Sequence, residues 1–219
     1  MLRRELPHTQ QTPNSKECGA ACLSMLFKEY GIDVRLKKIW ENVKGHNPNQ
    51  VRRGREHCRL NRMLLYAEEN GFHAVGVSAN NLAALLSICK EKRLEVILLH
   101  KETPRKEGHF SLFSDLEGDS VFVNNPLYTA RQGKNKRVFI NNLELLMAGD
   151  RFDITRDNTV LVFATTKSDA VISQAVCASC NRKITLIEEI HSLISAIVCP
   201  HEDSWIILPM PVSNNTKPK

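Results

Sequence analysis

The first half of the chain carries apolar residues at helical spacing, separated by short polar segments. In residues 15–30 this spacing predicts a first helix, with Ser15 as its N-terminal cap and Gly31 as its end. The same spacing predicts a second helix over residues 33–44, capped by Asp33. Two further helices are expected over residues 58–70 and 80–92.

Short apolar segments typical of strands become common after residue 71. Continuous or alternating apolar runs predict strands over residues 72–78, 94–100, 108–115, 119–124 and 158–165, with a strand or a helix over 138–147. A turn at Glu117-Gly118-Asp119 joins two of these strands as a hairpin. Helices that come first and an antiparallel sheet that follows them are the pattern of an α+β fold.

The polar segment around residues 166–169 has the character of a linker, so the chain is expected to form two units. The first covers residues 1–166, and the second covers residues 167–219 and ends in a polar tail. Within the second unit, the apolar segments 183–189 and 193–198 are rich in β-forming residues. They are expected to pair as a hairpin.

Composition places the chain among soluble globular proteins. It has 219 residues, of which 42% are hydrophobic and 25% are charged. It contains no apolar run of the roughly eighteen residues that a membrane span needs. The N-terminus lacks the apolar core of a secretory signal, so a cytoplasmic location is expected, with export by a signal-independent route left open.

The net charge of +6 arises largely from two basic segments, residues 52–62 and 131–137. Such segments can attract an acidic partner, nucleic acid or anionic lipid. The simpler interpretation is a solvated loop rich in Arg and Lys, because neither segment has interleaved aromatic residues or a known binding motif.

Cys18 is the first candidate for chemistry, because it lies in the first turn of the first predicted helix. Free N–H groups and the helix dipole stabilise a thiolate there and make it a better nucleophile. Gly19 follows and is expected to let a substrate backbone come close. Cys22 falls one turn deeper on the apolar face and is predicted to be a core residue.

His109 and Asn125 form the second candidate group. His109 begins one strand of the predicted hairpin, and Asn125 lies just past the end of the returning strand. Because the far ends of a two-stranded hairpin are adjacent, these two side chains should be neighbours. The Asn125 amide can then orient the imidazole, which can take the proton of Cys18. This combination supplies a nucleophile, a base and an orienting group.

These residues together resemble the bacteriocin-processing leader peptidases, which are papain-like cysteine peptidases. The resemblance rests on Cys18-Gly-x-x-Cys22-Leu on a first helix, then His109-Phe110, then a hairpin that closes on Asn125-Pro126. It covers roughly residues 5–166. Asn125 stands where this family has Asp, and Asn is the orienting residue in the papain branch.

The resemblance implies a papain-like fold and a cysteine peptidase, or an isopeptidase, that acts on a protein or peptide substrate. It assigns Cys18 as nucleophile, His109 as base and Asn125 as orienting residue. It also implies a Gln before the cysteine that stabilises the oxyanion, for which Gln11 is the first choice and Gln10 the second. Without Asp, the imidazolium lacks a charged partner, so His109 is expected to be less basic than in the family.

Two other functions are alternatives to a peptidase; one uses the same catalytic residues and the other uses no catalytic residues. A papain-like glutamine deamidase or transglutaminase would form the same thioester on Cys18. An inactive peptidase domain would serve as a binding module for nucleic acid or a partner, and its nucleic-acid binding would then depend steeply on salt.

Three of the seven cysteines cluster in the second unit and indicate a zinc site. Cys177 and Cys180 form a CxxC motif, and Cys199 follows after the predicted hairpin. Cysteine and histidine are preferred zinc ligands, and a unit this small needs such a cross-link. His201 is the first choice for the fourth ligand; the alternatives are Glu202, Asp203 and His191.

The zinc is expected to be structural, because four protein ligands leave no open position. A redox CxxC motif would need a βαβ context that is not present here. An odd cysteine count without a secretory signal also argues against a disulfide framework. Free structural cysteines are the remaining interpretation.

Overall fold

The N-terminal part is helical, as its pattern predicts. The computed structural model describes residues 5–45, 56–102, 108–147 and 156–208. The helices are α1 (Cys18–Glu29), α2 (Leu36–Val43), α3 (Leu60–Glu69), α4 (Leu82–Glu91), α5 (Ala130–Gly133) and α6 (Ile140–Met147). A 3₁₀ helix spans Glu188–Leu193.

Both predicted helix caps are wrong. The first helix begins at Cys18 and is preceded by Glu17, because Ser15 lies in a turn where its hydroxyl donates to the Glu17 carboxylate at 3.2 Å. The second helix begins after Arg35. Ile32 and Val34 both pack against the core, and this alternate spacing keeps the segment after Asp33 extended rather than helical.

An eight-stranded antiparallel sheet forms the centre of the molecule, so the predicted α+β class is confirmed. The strands of the chain are β1 (Lys44–Gly45), β2 (His57–Cys58), β3 (His73–Ala79), β4 (Glu95–Lys101), β5 (Gly108–Glu117), β6 (Ser120–Asn124), β7 (Lys136–Phe139), β8 (Thr159–Ala164), β9 (Ile172–Val176), β10 (Lys183–Ile187), β11 (Ile194–Cys199) and β12 (Ser204–Ile207). The large sheet has the order β12-β11-β3-β8-β4-β5-β6-β7, and β1 with β2 and β9 with β10 form two small antiparallel pairs.

Both faces of the large sheet are covered, so a central strand can be buried along its whole length. Every residue of β8 is buried: Leu161 and Phe163 belong to the apolar cluster that contains α1 and α3, and Val160 and Val162 belong to the cluster that contains α4 and α6. A strand that is buried on both faces has no polar alternation, which matches the apolar sequence of this segment.

The C-terminal segment differs from the prediction. Residues 183–189 and 193–198 do not pair with each other: β10 pairs with β9, and β11 pairs with β3 and β12. The short 3₁₀ helix between β10 and β11 separates them in place of a tight turn. The large sheet therefore continues across the expected boundary at residue 166. The division into two folding units stays a prediction.

In the part of the chain that the structure describes, no helix has the length and apolar character needed to cross a bilayer.

Candidate active site

Cys18 is the first residue of α1, a helix that packs against β5. Its side chain is only 8% exposed. Burial raises the pKa of the Cys18 thiol, and the backbone N–H groups of Phe110 and Gly19 partly offset this effect because they stabilise the thiolate. The contact with Phe110 places the sulfur beside the residue that follows His109.

Gly19 has a packing role that the sequence interpretation did not foresee. A Cβ atom at this position would lie 2.7 Å from the Met63 sulfur and 2.8 Å from Cβ of Cys58. Gly19 therefore allows α1 to approach α3 and β2, and it is buried against them rather than open to a substrate. Cys22 is a fully buried core residue, as expected.

His109 and Asn125 are neighbours, as the hairpin geometry predicts. The imidazole Nε2 lies 2.8 Å from Oδ1 of Asn125. His109 is the second residue of β5, and Asn125 directly follows β6. Both side chains are buried, at 7% and 1% exposure, so solvent competes little for this hydrogen bond.

The two other contacts of the Asn125 amide determine which atom His109 contacts. Oδ1 accepts a hydrogen bond from the backbone N–H of Leu127 at 2.9 Å, and Nδ2 donates to Oε1 of Glu102 at 2.7 Å. Since Oδ1 can only accept, Nε2 of His109 must be the donor. The second ring nitrogen, Nδ1, therefore carries the lone pair in the neutral imidazole.

Glu102 is a site residue that was missed in the sequence. Its carboxylate accepts hydrogen bonds from Asn125 and from the Tyr128 hydroxyl, the latter at 3.1 Å, and lies 4.0 Å from the Lys136 ammonium. Burial alone would raise its pKa, but Asn125, Lys136 and His109 together lower the pKa of this carboxyl. A negative charge therefore lies directly behind the Asn125 amide.

The pattern around Glu102 shows how it could have been found. His100 lies opposite His109 in the register of β4 and β5, and Lys101 lies opposite Gly108. Side chains two residues apart share a strand face, so Glu102, two residues after His100, continues that face towards the site. Recognising β4 and β5 as a pair in the sequence would have placed a carboxylate near His109.

A second buried histidine packs against the candidate base. The rings of His100 and His109 meet edge to face, with centroids 5.5 Å apart. Nδ1 of His100 donates to the Lys101 carbonyl at 3.1 Å, which leaves Nε2 to accept from the Ser111 hydroxyl at 2.9 Å. Burial, and secondly the nearby His100, lower the pKa of His109 to about 4.

The two candidate oxyanion residues differ in position. Gln10 is exposed, whereas Gln11 is buried, and its backbone N–H donates to the Pro126 carbonyl at 2.9 Å, next to Asn125. The Gln11 amide donates to the Ser15 carbonyl at 3.1 Å. The structure therefore holds Gln11 in the loop that leads to Cys18.

Gly133 supports the loop that carries Asn125. Its carbonyl accepts the Asn125 N–H at 2.9 Å. A Cβ at position 133 would lie 2.4 Å from the Asn125 carbonyl oxygen and 2.8 Å from the ring of His8. Only glycine lets these two segments approach so closely.

Three of the predicted metal ligands come together at the other end of the chain. The sulfur atoms of Cys177, Cys180 and Cys199 lie within 4.8 Å of one another. No histidine or carboxylate of the described residues belongs to this group. The ring of His201 lies 3.4 Å from the Lys183 carbonyl instead.

The other candidates for the fourth ligand are also placed. Asp203 forms an ion pair with Arg59, and His191 is exposed on the 3₁₀ helix. Glu202, three residues after Cys199, is also exposed. Asp203 is thus already engaged, which argues against a role in metal binding.

Much of the basic charge has partners inside the molecule. Residues 52–55 lie outside the described part of the chain. In the described part, Arg59 pairs with Asp203, Lys136 lies beside Glu102, and Arg137 donates to the Ser120 hydroxyl at 2.9 Å. An acidic partner or nucleic acid at these segments stays a prediction.

Comparison with known proteins places this chain in a known family. The model of the peptidase C39 family matches residues 5–144. No curated protein sequence matches the chain significantly.

Three solved structures share the fold at low sequence identity. A double-glycine motif protease from an AMS/PCAT transporter, solved with the leader peptide, is 19% identical, with a TM-score of 0.50, and the match covers 75% of this chain and 94% of that one. The peptidase domain of Streptococcus ComA, a bifunctional ABC transporter of a quorum-sensing pathway, is 14% identical, with a TM-score of 0.52 and coverage of 74% and 100%. A Bacillus anthracis protein described as a C39-like peptidase is 15% identical, with a TM-score of 0.54 and coverage of 74% and 95%.

Proposed function

Because the chain belongs to the peptidase C39 family, and is therefore a papain-like cysteine peptidase, we propose that Cys18, His109 and Asn125 are its catalytic triad. The observation that supports these roles is the directed set of hydrogen bonds from His109 through Asn125 to Glu102. This set commits Nε2 of His109 to donation, so Nδ1 is the nitrogen that receives a proton.

In the proposed reaction, Nδ1 of His109 takes the proton of the Cys18 thiol as the sulfur attacks the substrate carbonyl. The imidazolium then gives this proton to the leaving amine, and a thioester remains on Cys18. Water hydrolyses the thioester, with His109 acting again as base. At the end of the cycle the proton is back on the Cys18 thiol, and the enzyme has returned to its starting state.

Glu102 acts in this scheme as a positioning residue. A neutral Asn125 cannot stabilise the imidazolium by its own charge, as an Asp in its place would. The Glu102 carboxylate polarises the Asn125 amide and places a negative charge on the side of Asn125 that faces away from His109. The roles that one Asp would combine are thus divided between an amide and a carboxylate.

The resting pair is neutral in this proposal. Burial raises the pKa of the Cys18 thiol, and burial together with His100 lowers the pKa of His109 to about 4. At neutral pH the free enzyme therefore holds a thiol and an uncharged imidazole. Proton transfer then accompanies attack on a bound substrate, which protects the thiol from reaction with unrelated electrophiles.

Gln11 is the proposed oxyanion donor. One hydrogen of its amide nitrogen is used by the Ser15 carbonyl, which leaves the second for a substrate oxygen. The buried amide oxygen has no partner among the described residues, so the Ser15 contact is the hydrogen bond that orients this amide.

The substrate we propose is a peptide with small residues next to the bond that is cut. Cys18 and His109 are only 8% and 7% exposed, so a bulky side chain beside the scissile carbonyl would be excluded. The similar structure from an AMS/PCAT transporter is described as a double-glycine motif protease and was solved in complex with the leader peptide. A Gly-Gly sequence before the cut suits the burial seen here.

Two peptidyl acyloxymethyl ketones test the triad and the substrate separately. One ends in Gly-Gly and the other in Leu-Leu, and mass spectrometry follows their addition to each cysteine. We expect rapid labelling of Cys18 in the wild type, loss of labelling in His109→Ala, and no change in His73→Ala, which removes an exposed histidine.

The two probes give independent answers. Equal labelling of Cys18 in wild type and His109→Ala would contradict the triad, as would labelling of another cysteine in its place. Equal rates with the Gly-Gly and Leu-Leu probes would contradict the small-residue substrate and leave the triad intact.

A further inference from the structure

Two loops near the C-terminus have the same local structure, although only one carries two cysteines. The loop that begins at Cys177 connects β9 and β10, and the loop that begins at Cys199 connects β11 and β12. In the first, the N–H of Asn181 donates to the Cys177 carbonyl at 2.8 Å. In the second, the N–H of Asp203 donates to the Cys199 carbonyl at 3.0 Å.

The match between the loops extends to backbone dihedrals and sulfur contacts. Asn181 and Asp203 both have positive φ, at 58° and 52°. The backbone N–H groups two and three residues after Cys177 contact its sulfur, and those two and three residues after Cys199 contact that sulfur in the same way. Each loop therefore directs two backbone N–H groups towards the sulfur of its first cysteine.

The three sulfur atoms of the loops have the spacing of metal ligands. A tetrahedral zinc ion with Zn–S bonds of about 2.3 Å separates its sulfur ligands by roughly 3.8 Å. The sulfur atoms of Cys180 and Cys199 are 3.6 Å apart, and all three lie within 4.8 Å. A disulfide needs about 2.05 Å, and the three cysteines are free.

Near the three sulfur atoms, the two hairpins meet with little apolar contact of their own. The buried residues of the cluster between them are Cys177, Ile184 and Cys199, with three partly buried residues packed around these. At the other end of the β9–β10 hairpin, Ile187 and the partly buried Ile172 and Leu186 pack into the large core with Ile194 and Ile197 of β11. The end that carries the three sulfur atoms has only the small cluster, so a cross-link there would add most.

We propose that Cys177, Cys180 and Cys199 bind a structural zinc ion that joins the β9–β10 hairpin to the edge of the large sheet. The connection to the sheet follows from β11, which pairs with β3. Thiolate ligands in this arrangement prefer zinc over hard cations such as magnesium or calcium. The proposal does not involve Cys18 and is independent of the proposed peptidase activity.

The equivalence of the loops assigns the fourth ligand position to Glu202. Cys180 is the third residue after Cys177, and Glu202 is the third residue after Cys199. This changes the expectation from His201, whose ring contacts the Lys183 carbonyl and Arg182. The Glu202 side chain is exposed and needs a rotation towards the sulfur atoms to bind the ion.

Metal content of the full chain is the first test. Three proteins are purified without added metal: the wild type, Cys180→Ser and the control Cys89→Ser. Their zinc content is measured by inductively coupled plasma mass spectrometry. Cys89 is a buried cysteine of α4, outside the cluster. We expect one zinc per chain in wild type and control, and loss of zinc in Cys180→Ser.

A gain of affinity provides a second test that does not depend on a damaged fold. Glu202→Cys should complete a four-thiolate site and hold zinc at least tenfold more tightly against a competing chelator than the wild type. His201→Cys, one residue away, should give no such gain. The cobalt-substituted Glu202→Cys protein should also show stronger sulfur-to-metal charge-transfer absorption.

Three outcomes would overturn parts of the proposal. Wild-type chain that stays free of zinc even after reconstitution, or that contains a Cys180–Cys199 disulfide when purified under reducing conditions, contradicts the site itself. A gain of affinity in His201→Cys and none in Glu202→Cys contradicts the assignment of the fourth ligand.

Discussion

We propose two different purposes for the cysteines of this chain, and the two regions place them in different ways. At Cys18 the thiol is buried, burial raises its pKa, and the groups proposed to activate it lie about ninety residues or more later in the sequence. At Cys177 the backbone N–H groups of Cys180 and Ser179 contact the sulfur from within the same short loop, whereas Cys199 comes from a second hairpin. The candidate nucleophile therefore relies on distant segments, whereas each half of the candidate metal site is held by its own loop.

The difference has a chemical reason. A buried peptidase nucleophile becomes a thiolate when a base within hydrogen-bond reach takes its proton, so its activating group can come from a distant segment. A metal ligand must be a thiolate whenever the ion is bound, so backbone donors next to it in sequence are an advantage.

Substitutions that move the negative charge from Glu102 to position 125 should have the largest effect on activity. In Asn125→Asp, two carboxylates would face each other about 2.7 Å apart, so they must share a proton or move apart, and movement of residue 125 displaces the acceptor that orients His109. We expect peptide cleavage to fall about a hundredfold or more. Adding Glu102→Gln should restore most of the activity, because an Asp then faces an amide.

A double-mutant cycle in kcat/KM measures this coupling, with the acidic limb of the pH profile as a second readout. Glu102→Gln alone should lower activity and should not mimic the double variant. Effects of the two substitutions that simply add would show that Glu102 does not act through Asn125.

The stability of the fold should fall in mild acid because of two buried histidines and one half-buried histidine. The pKa values of His8, His100 and His109 are lowered in the folded chain, so the unfolded chain binds protons first as the pH falls. Their contribution is fully present above about pH 6.5 and is lost as the pH falls through the window down to about 4. The shift of His109 alone corresponds to a loss of about 3 kcal/mol over this window.

Urea unfolding between pH 7.5 and about 4.5 checks this prediction. A chelator is present throughout, so that protonation of the metal-binding cysteines does not contribute. His73→Ala should keep the wild-type slope, and His109→Asn should reduce it. An unfolding free energy that stays constant over this range would mean that His109 is protonated as readily in the folded chain as in the unfolded one.

The smallest predicted effect tests the close approach at Gly133. In Gly133→Ala the new Cβ would clash with the Asn125 carbonyl oxygen, so the loop must shift by several tenths of an ångström. We expect a roughly tenfold fall in kcat/KM with little change in zinc content, because the two regions are assembled independently.

The matched control is Gly118→Ala, in the β5–β6 turn. There the glycine has positive φ and open space around it, so alanine strains the turn without touching Asn125. A larger loss of activity in Gly118→Ala than in Gly133→Ala would contradict the positioning role of Gly133.

Local patterns predicted several parts of the catalytic region correctly. Cys18 opens a helix, and His109 and Asn125 meet across a hairpin, because both relations depend on short stretches of sequence. Glu102 was not predicted. Its place follows from the register between β4 and β5, and no single segment of the sequence contains that register.

The C-terminal region shows the same division. The CxxC motif and the cysteine after it predicted a group of three cysteines, and the structure brings their sulfur atoms together. That they bind a metal stays a prediction. The pairing of the strands was wrong, because β10 and β11 each find another partner. An apolar β-forming segment predicts that a strand exists, but it does not predict which strand pairs with it.

By itself, the sequence determined the α+β class, the helix that presents Cys18, the His109–Asn125 pair and the three clustered cysteines. The first three depend on residues that are close in the chain or are joined by one tight turn, and the cysteines were recognised by their grouping in the sequence. Only the tertiary structure decided that Glu102 lies behind Asn125, that Gly19 and Gly133 are packing positions, and that β11 extends the large sheet. These features depend on the register and packing of distant segments, which follow from the energy of the whole fold rather than from any local pattern.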